Sequence, residues 1–159
     1  MNKLYLKLLI LPCVIIITLF TSCNKEKKLI ELIGGGYTLE YASIGGEDVT
    51  ALLLNDTVNL SSLVIGEEEG VLLFFLYFYP KADRNSYYSS TCSFLDESRL
   101  SIYNKTIDEH LSFALHNNLA FSPFSKQVSF ALNIEVLTEN QLIFNTNYLG
   151  KTYRYEFKD

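Results

Sequence analysis

The sequence has few of the residues that most often bind metals or form cross-links. It contains no tryptophan, two histidines and three cysteines in 159 residues. His110 and His116 are six residues apart, a spacing that suits neither one strand face at close range nor successive helical turns. No cysteine or cluster of carboxylates accompanies them, so a metal site is not expected. No other cofactor is indicated.

The chain also lacks the motifs of common catalytic centres. It has no serine-centred nucleophile elbow, no glycine-rich phosphate loop and no Cys/His pairing. Asp108-Glu109 and Glu67-Glu68-Glu69 are runs of adjacent carboxylates, which are normally solvated in loops. A general acid/base pair needs two carboxylates in different environments, and the sequence alone does not show one. We therefore predict a protein that is not an enzyme and has no catalytic residues.

The first 22 residues are built like an export signal. Lys3 and Lys7 give a positive start, and residues 8–20 are apolar except for Pro12 and Thr18. A helix of this length rises only about 20 Å. The hydrocarbon core of a bilayer is roughly 30 Å thick, so a permanent transmembrane anchor is not expected.

The apolar run leads into Leu19-Phe20-Thr21-Ser22-Cys23, which resembles the lipobox of bacterial lipoproteins. The resemblance implies cleavage between Ser22 and Cys23, a diacylglyceryl group on the Cys23 thiol, and anchorage in the outer membrane of a Gram-negative bacterium. Two or more acyl chains, at about 0.8 kcal/mol per buried CH₂, make a stable anchor. The alternatives are an ordinary signal peptide that happens to contain a cysteine, or a short uncleaved anchor.

Processing at this site changes the cysteine count and the charge. Cys13 leaves with the signal and Cys23 is capped by lipid, so Cys92 is left as the only thiol and no internal disulfide is expected. With no His or basic neighbour in sequence, Cys92 is interpreted as a strand residue rather than a nucleophile. Loss of two lysines leaves 11 basic residues against 18 acidic, a formal charge of −7. This balance argues against nucleic acid as a partner.

The mature chain divides into two predicted parts. Residues 23–28 are the lipidated cysteine and a charged tether, and residues 29–159 have the length of one domain. Lys25-Glu26 resembles the short Lys/acidic tag that follows the lipid cysteine in some surface-exposed lipoproteins. A cell-surface location and a periplasm-facing location both remain open.

From residue 29 onward the dominant hydrophobic period is two, which predicts strands. The pattern indicates strands near residues 37–42, 49–60, 71–79, 86–95, 99–103, 129–136, 142–148 and 152–158. Residues 111–122 are predicted to form a hairpin that turns at His116-Asn117-Asn118, and residues 61–69 are ambiguous, with room for one helical turn. The prediction is an all-β fold, either an up-and-down barrel of about eight strands or a two-sheet sandwich.

Two parts of this pattern resemble the lipocalin-like domains of small lipoproteins from Gram-negative gut bacteria. They are IGGGYTLE (33–40) with GGEDV (45–49), and VLTENQLIF (136–144) with YLGKTYRYEF (148–157). The resemblance implies a small, closed or nearly closed β-barrel and does not fix a ligand. In that family a Trp of the first strand packs under an Arg of the last. Here Tyr37 and Arg154 would take these places, unless Arg154 is simply a solvated strand residue.

The remaining candidates concern modification and binding. Asp56-Thr57-Val58 resembles a three-residue O-glycosylation acceptor used in the same bacterial group, which makes Thr57 a candidate site. The 11 Tyr and 11 Phe either line a cavity or fill the core of a small barrel.

The leading expectation is a membrane-anchored protein that binds a small apolar ligand or an envelope component, with binding residues unknown. The alternative is a protein-interaction module, such as an enzyme inhibitor or a surface-assembly subunit, that uses Val71–Tyr79 and exposed loops.

Overall fold

The computed structural model of the chain describes residues 36–79 and 86–159, without the side chains of His110 and Leu111. The predicted signal, the predicted lipid attachment at Cys23 and the predicted tether lie outside these residues. Within the described ranges the chain forms strands β1 (Gly36–Ile44), β2 (Glu47–Asp48), β3 (Leu60–Glu68), β4 (Val71–Phe78), β5 (Ser86–Asp96), β6 (Arg99–Ile107), β7 (Phe130–Thr138), β8 (Gln141–Tyr148) and β9 (Lys151–Lys158). The helices are α1 (Thr50–Leu53), α2 (Glu109–Asn117) and α3 (Ser122–Lys126), and a 3₁₀ turn covers Leu119–Phe121.

Eight of the strands close into an antiparallel barrel. The order β1-β3-β4-β5-β6-β7-β8-β9 follows the chain, and β9 pairs with β1 to complete the circle. The two-residue β2 only adds a short hairpin to the end of β1. The up-and-down barrel is therefore confirmed, and the two-sheet sandwich is not formed.

The period-two pattern explains why these segments are strands and which face they bury. In β4 the inward residues Leu72, Phe74, Leu76 and Phe78 are buried, whereas those between them face outward. The connection from β8 to β9 is a two-residue turn in which Leu149 and Gly150 have φ of 49° and 74°. This left-handed pair is typical of hairpins, and β7, β8 and β9 form an antiparallel meander.

One alternation predicted for β1 is broken. Tyr37 and Leu39 face the interior, but the register with β9 shifts between Leu39 and Tyr41, so that Ala42 and Ile44 are the next buried apolar residues. A β-bulge inserts one residue and reverses the faces that follow. Such a bulge cannot be predicted from a hydrophobic period of two in the sequence.

One assignment before β4 is wrong. Residues 49–60, predicted as extended, contain α1 and a turn, and only Leu60 belongs to a strand. The reason is local side-chain capping: Asp48 Oδ1 accepts the Thr50 N–H, and Asn55 Oδ1 accepts the Thr57 N–H, each at 2.8–2.9 Å. The ambiguous residues 61–69 are mostly strand β3, and they turn at Glu69 and Gly70.

The hairpin predicted for residues 111–122 is also wrong, because this segment is α2 followed by the 3₁₀ turn. Asn118, placed in the turn of that hairpin, instead caps the 3₁₀ turn: its Oδ1 accepts the Ala120 N–H at 2.9 Å. Pro123 then sits in the first turn of α3, where its missing N–H costs nothing.

The antiparallel meander gives the barrel two distinct ends. At the N-terminal end β1 begins, β9 finishes, and the turns after β3, β5 and β7 lie together. At the opposite end, here called the helical end, lie α1, α2, the 3₁₀ turn, α3 and the turn between β8 and β9.

Candidate functional site

The helical end is closed by a buried plug, defined as residues 120–125. All six residues are buried, among them the polar Ser122 and Ser125. Phe121 and Phe124 stack on each other with ring centroids 5.0 Å apart. The plug therefore occupies space that a ligand-carrying barrel would leave open at this end.

Polar side chains of the barrel wall hold the plug by its backbone carbonyls. The Tyr155 hydroxyl donates to the Ala120 carbonyl oxygen at 2.6 Å in a buried position. The Lys105 ammonium donates to the carbonyl oxygens of Phe124, at 3.3 Å, and Ser125. Carbonyls at the end of a helix lack intrahelical partners, so these donors satisfy groups that would otherwise be buried unpaired.

Below the plug, aromatic rings fill the interior. The Phe124 ring lies 5.0–6.4 Å, centroid to centroid, from six others, which are those of Phe74, Tyr88, Phe121, Phe130, Phe144 and Tyr155. Most of the pairs are edge-to-face, the arrangement that suits ring quadrupoles. These rings therefore fill the core, which is one of the two roles considered for the aromatic residues.

Three buried polar atoms near the plug have no hydrogen-bond partner among the described residues beyond the contact between the first two. They are the Tyr88 hydroxyl, the Ser90 hydroxyl and the Gln127 side-chain nitrogen. Tyr88 and Ser90 are on the inward face of β5, and burial raises the pKa of Tyr88, with the nearby Ser90 hydroxyl opposing the shift. An unpaired buried polar group is costly, so such a group requires an explanation.

The wall of the barrel beside these atoms lacks part of its strand pairing. β6 pairs with β7 only from Arg99 to Ile102, although β6 continues to Ile107. Between Ser89 and Thr91 the register of β5 and β6 shifts, and Asn104 has φ of 53°, which marks a bulge in β6. α3 therefore lies where β7 would otherwise continue, and Lys105 reaches it.

A second feature is an uncharged aromatic strip on the outside of β4 and β5, defined as Leu73, Phe75, Tyr77, Tyr79 and Tyr87. Phe75 lies 6.0 Å from Tyr77 and 6.4 Å from Tyr87, between ring centroids. Tyr79 and Tyr87 are exposed, and both stand at the helical end. The segment Val71–Tyr79 is therefore covered on its inner face and partly open on its outer face.

The helical end itself carries most of the exposed apolar surface. Ten large apolar or aromatic side chains are exposed among the described residues, and only Val71 and Leu95 are at the N-terminal end. The other eight are at the helical end: Leu52, Leu54, Tyr79, Tyr87, Phe113, Leu119, Val128 and Leu149. Phe113, Val128 and Leu149 are each more than four-fifths exposed. Large exposed apolar groups gathered on one side of a molecule are typical of an interaction surface.

Part of this surface is shown to be continuous by a direct contact. The Asn118 side-chain nitrogen donates to the Leu52 carbonyl oxygen at 2.6 Å. α1, which carries Leu52, therefore lies against the 3₁₀ turn, which carries Leu119.

The N-terminal end and the outer face of β7 to β9 are charged instead. The turns at the N-terminal end expose acidic residues, namely Glu67, Glu68, Glu69, Asp96, Glu97, Glu139 and Asp159. On the outer face Arg154 pairs with Glu135 at 2.7 Å and with Glu156. These contacts lower the pKa of Glu135 against the effect of its partial burial.

The predicted contact between Arg154 and Tyr37 does not form. Tyr37 is fully buried inside the barrel, and its hydroxyl donates to the Thr138 carbonyl oxygen at 3.0 Å. Arg154 is on the outer face, because β9 alternates and its neighbours Tyr153 and Tyr155 are the inward residues. Arg154 is therefore an ion-paired surface residue.

The other residues singled out from the sequence are dispersed. Thr57 is exposed in the turn after α1, where a modification would be sterically accessible. Cys92 is a buried strand residue, and burial raises the pKa of its thiol to about 12. His116 is exposed at the end of α2, with Nδ1 2.7 Å from the Ser112 carbonyl oxygen.

No group of three or more potential metal ligands occurs in residues 36–79 and 86–159. Nor does any helix described there have the length and apolar character needed to cross a membrane.

Comparisons with known proteins assign no function to the chain. No family model matches the chain, and no curated protein matches it. An uncharacterized protein from Bacteroides eggerthii, known from a crystal structure, is similar to it with a TM-score of 0.45 and 17% identity. That likeness covers 80% of this chain and 99% of the other.

Proposed function

We propose that the chain is a lipid-anchored lipoprotein of a bacterial outer membrane whose barrel is a non-enzymatic binding module for another envelope protein. The anchor is supported by the lipobox-like segment that ends at Cys23. The protein partner is supported by one observation above all, the gathering of exposed apolar side chains at the helical end.

A protein partner suits the barrel better than a ligand carried along its axis. The plug and the rings around Phe124 occupy the interior, so a partner has to meet the outside of the molecule. Protein interfaces are enriched in aromatic residues at their core and depleted in charge. The helical end, extended by the aromatic strip on β4 and β5, has this composition.

The end of the barrel to which the predicted tether connects is consistent with this proposal. The chain enters β1 at Gly36, at the N-terminal end, and the segment between Cys23 and Gly36 spans at most about 45 Å. A lipid on Cys23 would thus hold the N-terminal end towards the bilayer and leave the helical end facing away. The exposed acidic residues of the N-terminal end would be repelled by anionic lipid, which favours a raised position over adhesion to the membrane.

A second candidate function, a small ligand inside the barrel, has one observation in its favour. The unpaired donors around Tyr88, Ser90 and Gln127 are a polar feature inside an otherwise apolar interior. The small apolar ligand expected from the sequence stays a prediction, as does modification of Thr57.

Native mass spectrometry of the full-length protein, extracted from its own membrane in mild detergent, tests the choice between partners. The proposal expects an added mass of protein size in a fixed ratio, which disappears when Leu119→Ser and Phe113→Ser are combined. An added mass of small-molecule size, with no protein adduct, would favour the second candidate instead.

The anchor has a separate test. Cys23→Ala should release the protein into a soluble or misprocessed pool, because the thiol that accepts the diacylglyceryl group is missing. Cell fractionation with an antibody to the folded domain measures this, and Cys92→Ala is the matched control that keeps its lipid. Membrane retention of a correctly cut Cys23→Ala protein would contradict the proposed anchor.

A further inference from the structure

Four polar groups belong to residues whose elements meet beside the C-terminal end of α3, at the place where β6 and β7 separate. This site is defined as the Tyr88 hydroxyl, the Ser90 hydroxyl, the Lys105 ammonium and the Gln127 side-chain amide. Tyr88 is fully buried and Ser90 is 3% exposed, and the two hydroxyls have no hydrogen-bond partner outside this pair among the described residues. A bond between them uses only one of their two hydroxyl hydrogens, so one donor is left over.

Strand register, hydrogen bonds and ring contacts place the four residues around the same end of α3. Ser90 faces the bulge of β6 that contains Lys105, because the flanking β5 residues Ser89 and Thr91 pair with Thr106 and Tyr103. The Lys105 ammonium is bonded to the Phe124 and Ser125 carbonyls.

The other two groups adjoin the same helix. The Tyr88 ring lies 5.7 Å from the Phe124 ring, between centroids. Gln127 follows the helix directly, and its backbone N–H is bonded to Pro123.

Each of the four groups is able to donate a hydrogen bond. An amide nitrogen and an ammonium only donate, and a hydroxyl is able to donate. The two carbonyl bonds of Lys105 leave one of the three ammonium donors available. No described carboxylate forms an ion pair with Lys105, so its charge lacks a counter-charge in this part of the chain.

We propose that this site binds a small anion with acceptor oxygens, a carboxylate in the first instance, which enters between β6 and β7. The carboxylate accepts hydrogen bonds from Ser90, Tyr88 and Gln127 and pairs with Lys105. Such charge-assisted bonds are stronger than neutral ones, and they account for buried donors that are otherwise unexplained. This inference is independent of the protein partner proposed above.

Thermal unfolding of the purified full-length protein in detergent tests the site, with sodium acetate as the probe against sodium chloride at equal ionic strength and pH 7. A ligand that binds only the folded state raises Tm with its concentration. Acetate is expected to raise Tm in a saturable manner, whereas chloride gives only the salt effect. Ser90→Ala and Tyr88→Phe should each weaken acetate binding at least several-fold, and Lys105→Met should abolish it.

Lys126→Met is the matched control, since it removes an exposed lysine charge of the same helix and should leave the acetate response unchanged. If Lys105→Met fails to fold, the acetate responses of Ser90→Ala and Tyr88→Phe still test whether the site binds acetate. Equal Tm in acetate and chloride would overturn the proposal, and so would an acetate response that survives both hydroxyl substitutions. If Tyr88→Phe raises Tm and acetate has no effect, the hydroxyl is simply unpaired, which also overturns it.

Discussion

At the scale of single residues, the fold depends on a few polar groups that lie inside an aromatic core. Tyr153, Tyr155 and Phe157 alternate in the sequence, and their inward face follows from that alternation. The hydrogen bond of the Tyr155 hydroxyl cannot be predicted from this alternation, because the carbonyl that accepts it belongs to Ala120, 35 residues away in the plug. The inward position of these residues is predictable from the period of two, whereas their bonds depend on tertiary structure.

Tyr155→Phe removes one hydroxyl and leaves the Ala120 carbonyl oxygen buried without this donor. The unfolding free energy should fall by about 1–3 kcal/mol, the usual cost of an unsatisfied buried group. Urea unfolding followed by circular dichroism measures the change. Tyr103→Phe, on the outer side of β6, is the control and should change stability by less than about 0.5 kcal/mol. Equal losses in both variants would contradict the role given to Tyr155.

The buried thiol and phenols also predict how stability depends on pH. Burial raises the pKa of Cys92 from 9.0 to about 12, and it raises the pKa values of Tyr88 and Tyr155. Below pH 9 these groups are neutral in both states and add no pH dependence. Above it the unfolded chain releases protons that the folded chain retains, so the unfolding free energy falls as pH rises.

Urea midpoints measured from pH 8 to pH 11 check this expectation. Cys92→Ala should remove the part of the decline that begins near pH 9 and leave the part due to the tyrosines. A midpoint that stays constant up to pH 11 would show that these groups are not buried as described.

At the scale of elements, strands and helices differ in how far the sequence predicts them. β4, β5 and the meander β7–β9 are recognisable because each buries one face at a period of two. α2, the 3₁₀ turn and α3 are missed, because residues 109–126 hold too few turns for a clear helical period. Their structure is decided by caps at Asn118 and by burial of Phe121 and Phe124 inside a barrel that the local sequence does not show.

The plug should contribute strongly to stability through Phe124. Phe124→Ala removes a ring in contact with six others and leaves a cavity, so the unfolding free energy should fall by about 3–5 kcal/mol. Phe113→Ala is the same substitution at a ring that is 82% exposed, and it should cost less than about 0.5 kcal/mol. Chemical denaturation measures both variants. A small loss at Phe124 would mean that the plug is not part of the folded core.

At the scale of the whole molecule, the barrel has two unlike ends. The acidic N-terminal end receives the chain from the predicted lipid anchor, and the helical end carries eight of the ten exposed large apolar side chains among the described residues. No sequence pattern predicts this polarity, because Leu52, Leu119 and Leu149 come from separate loops that only the closed meander brings to one end. The sequence alone indicates a barrel and an anchor. The candidate interaction surface at the helical end can be recognised only once the strand topology is known.

Photo-crosslinking in living cells tests this central claim most directly. A photoreactive benzoylphenylalanine replaces Leu119 at the helical end or Leu95 at the N-terminal end, two leucines that are each 55% exposed. Because exposure is equal, only the location differs. A discrete protein adduct from position 119, without one from position 95, is the predicted result. Adducts of equal yield from both positions, or from position 95 alone, would contradict a partner site at the helical end.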